Sequence, residues 1–198
     1  EWEKECTNRI DEMINSETEI NKLLIEIYRL EDEVDAEVKR EDIVLSEANI
    51  RRDIKSLISY AVGCMFGRYS LIHEGIQVEE QSDSELVDVD NIIPISDDEY
   101  FNDDILSNFV KFIEIAYGAE YLEDNLKYIA EALGGKGRPK EVIRNYFISD
   151  FYSDHCNNYA VMGAGKRPIY WLFDSGKKNG FKALVYIHRY QQDTLARM

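Results

Sequence analysis

The segment 167–190, RPIYWLFDSGKKNGFKALVYIHRY, constrains the fold more than any other stretch of the chain. It holds two apolar, aromatic-rich runs, 169–173 and 181–187, separated by DSGKKNG. Val, Ile, Tyr, Phe and Trp suit a pleated, half-buried surface, and a Gly/Asn-rich break between two such runs signals a β-hairpin. Alternation puts Phe181, Ala183, Val185 and Ile187 on one face of the second run, and Lys182, Leu184, Tyr186 and His188 on the other. The expected object is an aromatic ribbon with a basic tip.

The rest of the chain reads as helices. Ile20, Leu23, Ile27, Leu30 and Val34 recur at spacings of three and four, so residues 1–33 are expected to form one helix with an apolar stripe. The stripe covers about two heptads, too few for a coiled coil, and is assigned to a face packed on its own domain. Residues 35–45 form a charged connection. Ser46 is a candidate cap for a second helix reaching about residue 68, near whose end Gly63 and Gly67 allow close approach. Short strands are expected at 75–79 and 86–95. Asn102 is a candidate cap for a third helix through Ile105, Phe109 and Ile113 that ends at Gly118. A fourth helix, 119–133, stops at Gly134-Gly135, and a fifth starts at Pro139 and runs to about residue 157. GAGK at 163–166 reads as a linker, and Asp193 as the cap of a terminal helix.

Charge divides the chain. It carries 23 basic and 39 acidic residues, net −16. Residues 1–133 hold 12 basic and 34 acidic, while 134–198 hold 11 basic and 5 acidic. A basic end on an acidic chain suggests a polyanion-facing surface, although net acidity slows approach to DNA. On charge alone, ordinary solvated surface is the favoured explanation of the split.

Several chemistries lack their signatures. No apolar run reaches the ~20 residues that span a bilayer, and the charged start EWEKECTNRIDE does not resemble a signal peptide. Cys6, Cys64 and Cys156 are widely spaced and odd in number. That argues against a disulfide framework or zinc site and for a reducing, cytoplasmic setting. GGKGRP at 134–139 lacks phosphate-loop spacing and reads as an interhelical turn that leaves Lys136 and Arg138 free for phosphates. His73-Glu74 and Asp154-His155-Cys156 have no third ligand at helical spacing, and His155 reads as a helix-end residue. The acids Asp97, Asp98, Glu99, Asp103 and Asp104 could bind a cation loosely, and the dipole of the helix they precede explains them as well. No catalytic constellation emerges. The chain begins without Met and stops abruptly, which reads as a piece of a larger protein.

Three stretches resemble one family. INKLLIEIYRL at 20–30 resembles the helix that follows the catalytic domain in type IIG restriction–modification enzymes, and RDIKSLISYAVGCMFGRYSL at 52–71 resembles a second block of the same group. GGKG at 134–137, VIRNYF at 142–147 and KRPIYWLFDSGKKNGFKALVYIHRY at 166–190 are similar to adenine-specific DNA methyltransferases of bacteriophage-exclusion (BREX, PglX-type) systems. The resemblance implies a segment C-terminal to the methyltransferase domain. In the family that domain carries an S-adenosylmethionine loop and an Asn-Pro-Pro-Tyr type motif. Neither is present here, since Pro94, Pro139 and Pro168 are isolated.

The expected fold is therefore α+β, a predominantly helical spacer with a C-terminal antiparallel hairpin or partial sheet. Three regions are expected: 1–68, two long helices; 69–133, short strands, an acidic loop and two helices; 134–198, a helix plus the hairpin. The expected function is a non-catalytic spacer and DNA target-recognition segment, without a cofactor of its own, in a parent that uses S-adenosylmethionine. The alternative is a protein-interaction module whose acidic helices dock another subunit or regulator of the defence system. Expected partners are double-stranded DNA, held weakly in isolation, and the parent's methyltransferase domain, with no membrane. Candidate DNA contacts are Lys136, Arg138, Lys140, Arg167, Lys177, Lys178, Lys182, His188 and Arg189. Tyr170, Trp171 and Tyr186 are candidates for stacking, weighed against the core.

Overall fold

The computed structural model describes residues 1–77, 85–159, 168–176 and 181–197. These form two compact units, Glu1–Ile50 and Arg51–Met198.

The first unit is α1 (Trp2–Tyr28) with a returning segment. The helix ends earlier than its apolar pattern implies. Arg29 adopts the left-handed conformation (φ 58°), and the Leu30 amide bonds the Ile25 carbonyl, a Schellman-type stop without glycine. The segment then folds back: Asn21 Nδ2 donates to Ala36 O at 3.4 Å, and Arg40 reaches both Asp11 (2.7 Å) and Glu47 (3.0 Å). Ile10 and Ile43 are buried. Ile20, Leu23, Leu24, Ile27 and Tyr28 are exposed, so the stripe assigned to a packed face is open to solvent. The reason is local: the only helical element after α1 in this unit is the three-residue 3₁₀ turn Arg40–Asp42.

The second unit holds the core. α2 (Ile50–Met65) starts four residues after Ser46, which therefore does not cap it. Ile54, Ile58, Ala61, Val62 and Met65 face inward. At its end Gly63 admits a ring rather than a backbone: a Cβ there would lie 2.3 Å from Tyr69 Cδ2. Gly67 takes φ +68°, which reverses the chain. α3 (Ile105–Tyr117) is capped by Asp104, not Asn102, with Asp104 Oδ1 accepting from the Ser107 amide at 2.7 Å. It stops at Gly118, as its glycine signal predicts. The 3₁₀ turn Ala119–Tyr121 leads into α4 (Leu122–Leu133), closed by left-handed Gly134. α5 (Pro139–Ser149) has Pro at its first turn.

The expected single helix over 139–157 is two. Ser149 Oγ bonds back to the Asn145 carbonyl (2.7 Å), a contact that bends helices, and Asp150 relaxes to φ −116° before α6 (Phe151–Tyr159) begins. The break lets Phe147 and Phe151 both enter the core, with ring centroids 5.3 Å apart.

The hairpin forms. β2 (Tyr170–Asp174) pairs antiparallel with β3 (Lys182–Tyr186), and β1 (Ile92–Ile95) pairs on the other side of β3, giving the order β1-β3-β2. Of the strands expected at 75–79 and 86–95, only 92–95 is strand among the described residues. The alternation read from sequence separates two faces. Leu184, Tyr186 and Tyr170 pack into the helical core, while Ala183, Val185 and Ile92 form a smaller cluster with Phe181 against it. α7 (Thr194–Arg197) follows Asp193. The fold is α+β, mainly helical, with a small antiparallel sheet. No helix among the described residues is long and apolar enough to cross a membrane.

A buried ion pair ties the second unit together. Arg144 on α5 reaches Asp104, the α3 cap, and donates to Ser96 O (3.0 Å) and Asp98 O (3.2 Å) just beyond β1. Asp104 is fully enclosed and Arg144 nearly so. A bare carboxylate at that depth is prohibitive, so the guanidinium fixes the register of three elements.

Candidate nucleic-acid interface

The basic candidates fall into three situations. Lys136, Arg138 and Lys140 stand exposed on the turn between α4 and α5 and on the first turn of α5. Arg138 faces Glu141 at 3.8 Å with most of its side chain in water, and Lys136 and Lys140 have no ion pair among the described residues. The turn joins helix to helix, and a Cβ on Gly135 would meet Val142 Cγ1 at 2.2 Å, so that glycine serves packing.

Lys182, His188 and Arg189 lie on or just after β3 and divide differently. Lys182 is half-buried. Its Nζ sits 3.2 Å from Asp174 Oδ2 on the paired strand and 3.5 Å from Ile148 O; the Gly176 amide first, and then this pairing, hold the Asp174 carboxyl below the usual range. Arg189 donates to Asp88 O (3.2 Å) and Phe66 O (3.4 Å), which clips the chain after β3 to the end of α2. Two candidate contacts thus already hold internal acceptors. His188 is exposed, with its ring against Tyr186 at 5.4 Å. Arg167, Lys177 and Lys178 lie outside the described residues, as does the linker at 163–166.

The stacking candidates separate by strand parity. Tyr170 is buried, stacked on Phe66 at 5.1 Å, and Tyr186 is buried with its hydroxyl accepting from Arg68 at 3.2 Å. Trp171 points the other way, half-exposed, edge-on to Tyr190 at 5.6 Å.

His155 is an interior residue, not a helix-end one. It lies at the middle of α6, with Nδ1 3.3 Å from Ser59 Oγ and its ring 4.8 Å from Tyr170. Burial, reinforced by the nearby Arg68 charge, pushes its pKa down to about 4, so the imidazole is neutral. Asp88 moves oppositely, up to about 6, through burial and its neighbour Asp90, with which it shares the Ile92 amide. Among the described residues no three His, Cys, Asp or Glu side chains converge as a metal cluster.

One basic residue escaped the sequence reading. Arg51, at the start of α2, lies beside the α4–α5 turn: its Nη1 is 4.0 Å from where a Gly134 Cβ would stand. With Lys55, Lys136, Asn145, Ser149 and Asp150 it lines a cleft of about 320 Å³. Only a long-range contact brings Arg51 to Gly134. Its one sequence signal is membership of the adjacent pair Arg51-Arg52 in an acidic stretch.

No protein-family model matches the chain. Over 206 aligned residues it is 40% identical to the adenine-specific methyltransferase PglX of Lacticaseibacillus casei (strain Zhang), covering 99% of the chain. Over 227 aligned residues it is 36% identical to the adenine-specific methyltransferase BrxX of Escherichia coli O9:H4 (strain HS), covering 95% of the chain. The chain spans only 17% and 18% of the length of these two relatives.

Proposed function

We propose, on the premise that this chain is a relative of the PglX-type adenine-specific methyltransferases, that it is the spacer and DNA target-recognition segment of such an enzyme. The observation that carries this is the α4–α5 turn. In a chain of net −16 it presents Lys136, Arg138 and Lys140 to solvent, with one loose 3.8 Å ion pair among them. Cations that fold no one's carboxylate and cover no core are available to phosphates. S-adenosylmethionine is the methyl donor we assign to the parent enzyme. The turn at Gly134 joins helix to helix, which supports a reading in which no methyl transfer runs through this chain. Its part is positioning: lysine and arginine contacts to phosphate set register, and side chains reaching base edges set sequence preference. Lys177 and Lys178, which fall between β2 and β3 in the sequence, are the residues we assign to base reading.

Binding should be weak and strongly salt-dependent, because 39 acidic residues oppose 23 basic ones. The expected affinity for duplex lies near the non-specific range of roughly 10⁻⁴–10⁻⁶ M at physiological salt. Fluorescence anisotropy across a salt series tests this, with Lys177→Ala/Lys178→Ala as the comparison. The variant should retain its fold, weaken binding and flatten the salt slope by about one unit per lost phosphate contact. An unchanged affinity and slope would argue against the hairpin tip as a DNA contact.

A second reading has its own support. The exposed α1 stripe, Ile20, Leu23, Leu24, Ile27 and Tyr28, lies in a unit with 16 acidic and 6 basic residues. Such a face suits docking of a protein partner that is apolar at its centre and basic at its rim.

A further inference from the structure

We propose that the cleft between the start of α2 and the α4–α5 turn is a phosphodiester site, in which Arg51 and Lys136 hold one phosphate of a DNA backbone. The identity of the phosphate as DNA rests on the function proposed above; the anion site itself does not.

Part of the charge in the cleft is already committed. Lys55 is satisfied, with its Nζ 2.6 Å from Asp154 Oδ2, and the Tyr146 hydroxyl donates to the same carboxylate at 3.1 Å. That trio is internally neutral. Arg51 and Lys136 have no carboxylate within ion-pair distance among the described residues, although they come from elements some 85 positions apart (51 and 136) and the chain is strongly acidic. Two cations without ion-pair partners lining one cleft give it a positive potential that favours an external anion.

Local backbone keeps the place open. Gly134 is left-handed (φ +80°), the conformation that lets the α4–α5 turn pass beside Arg51, whose Nη1 lies 4.0 Å from the spot a Cβ would fill. Asn145, exposed on α5, has no hydrogen-bond partner for its side-chain amide among the described residues and lines the same cleft. Arg51 also acts inward: its charge opposes the upward push that burial and Asp154 give the Tyr146 phenol.

Asp150 sets the class of anion. It lines the same cleft, and its Oδ2 accepts from Ser149 Oγ at 2.7 Å. A polyphosphate filling the cleft would bring further negative charge against that carboxylate. A single phosphodiester held by Arg51 and Lys136 would bring less. Arginine is suited to gripping such a group with two parallel donors, with lysine as the point charge beside it.

The test uses the 198-residue chain and Arg51→Gln/Lys136→Gln, with Arg51→Lys as a charge-preserving control and circular dichroism to confirm folding. In anisotropy titrations of a labelled duplex across a salt series, the double variant should lose about one unit of salt slope, and Arg51→Lys should keep most of it. In parallel, amide spectra are followed during titration with inorganic phosphate. The Gly134 and Gly135 amides should shift in the wild type and not in the double variant. Wild-type duplex binding with an unchanged slope in the double variant, and no phosphate shifts, overturns the proposal while leaving the DNA reading intact. Phosphate shifts without any duplex binding support the anion site and overturn the DNA reading instead.

Discussion

Two helices carry the same apolar message with opposite outcomes. On α1 the residues Ile20, Leu23 and Ile27 repeat at helical spacing, and Ile27 is 70% exposed. On α3 Ile105, Phe109 and Ile113 repeat in the same way, and Phe109 is 0% exposed. Periodicity states which face is apolar, not what covers it. α3 is covered because α4, α5 and β1 supply partners within the second unit. α1 is followed in its unit only by a short 3₁₀ turn. The comparison separates a self-sufficient core from a face that the first unit leaves open.

The largest expected effect probes the covered side. Arg144→Met removes the guanidinium from beneath Asp104 and leaves a fully enclosed carboxylate with its Ser107 amide but no counter-charge. Removing one partner of a buried pair costs about 3–5 kcal/mol. Urea denaturation should show that loss. The exposed pair Arg9–Glu5 on α1, opened by Arg9→Met, should leave the midpoint nearly unchanged. Equal effects would erase the contrast between the two units.

Local punctuation was legible in the sequence. Gly118, Gly134 and Pro139 end or start helices where their backbone preferences require it. The hairpin alternation assigned Leu184 and Tyr186 to a different face from Ala183 and Val185. What escaped was whatever depends on distant partners. β1 joins β3 from about ninety residues upstream, through pairs such as Ile93↔Leu184. Arg144 finds Asp104, His155 finds Ser59, and Arg51 finds Gly134, all through tertiary packing that no local pattern encodes. The kink at Asp150 is a lesser miss, since the apolar spacing of Val142, Ile143, Tyr146, Phe147 and Phe151 continues across Ser149, whose hydroxyl bonds back to Asn145 O.

A smaller effect, in pH, belongs to the same covered core. His155 titrates at about 4 when folded against its ordinary 6.5. Between those values the unfolded chain binds more protons, so stability falls as the pH drops from about 6.5 to about 4 and levels off below. The loss is at most about 3 kcal/mol. Asp88 works against it: its pKa is raised to about 6, so its contribution is full below 3.8 and fades as the pH climbs through 6. Comparing wild type with His155→Gln isolates the first term. The variant should show a shallower acid decline, and parallel curves would remove His155 as its source.

The smallest expected effect is on the open side, and it is informative because it is small. Ile27→Asp and Leu23→Asp place charge on a face that is already solvated, in a helix whose stop is set by Arg29 and Leu30 rather than by the stripe. Surface changes of this kind usually stay within about 0.5 kcal/mol. Thermal melts of the chain should therefore be nearly superimposable with the wild type. The same changes should matter wherever a partner covers the stripe, since burying a leucine or isoleucine contributes about 1.5–3 kcal/mol and burying an unpaired aspartate reverses it. Introduced into the longer PglX-type enzyme proposed above, the pair should lower the melting temperature or release a bound subunit while leaving this chain on its own intact. A large loss in the isolated chain would mean that α1 is covered within it. No loss in either setting would leave the stripe without a docking role.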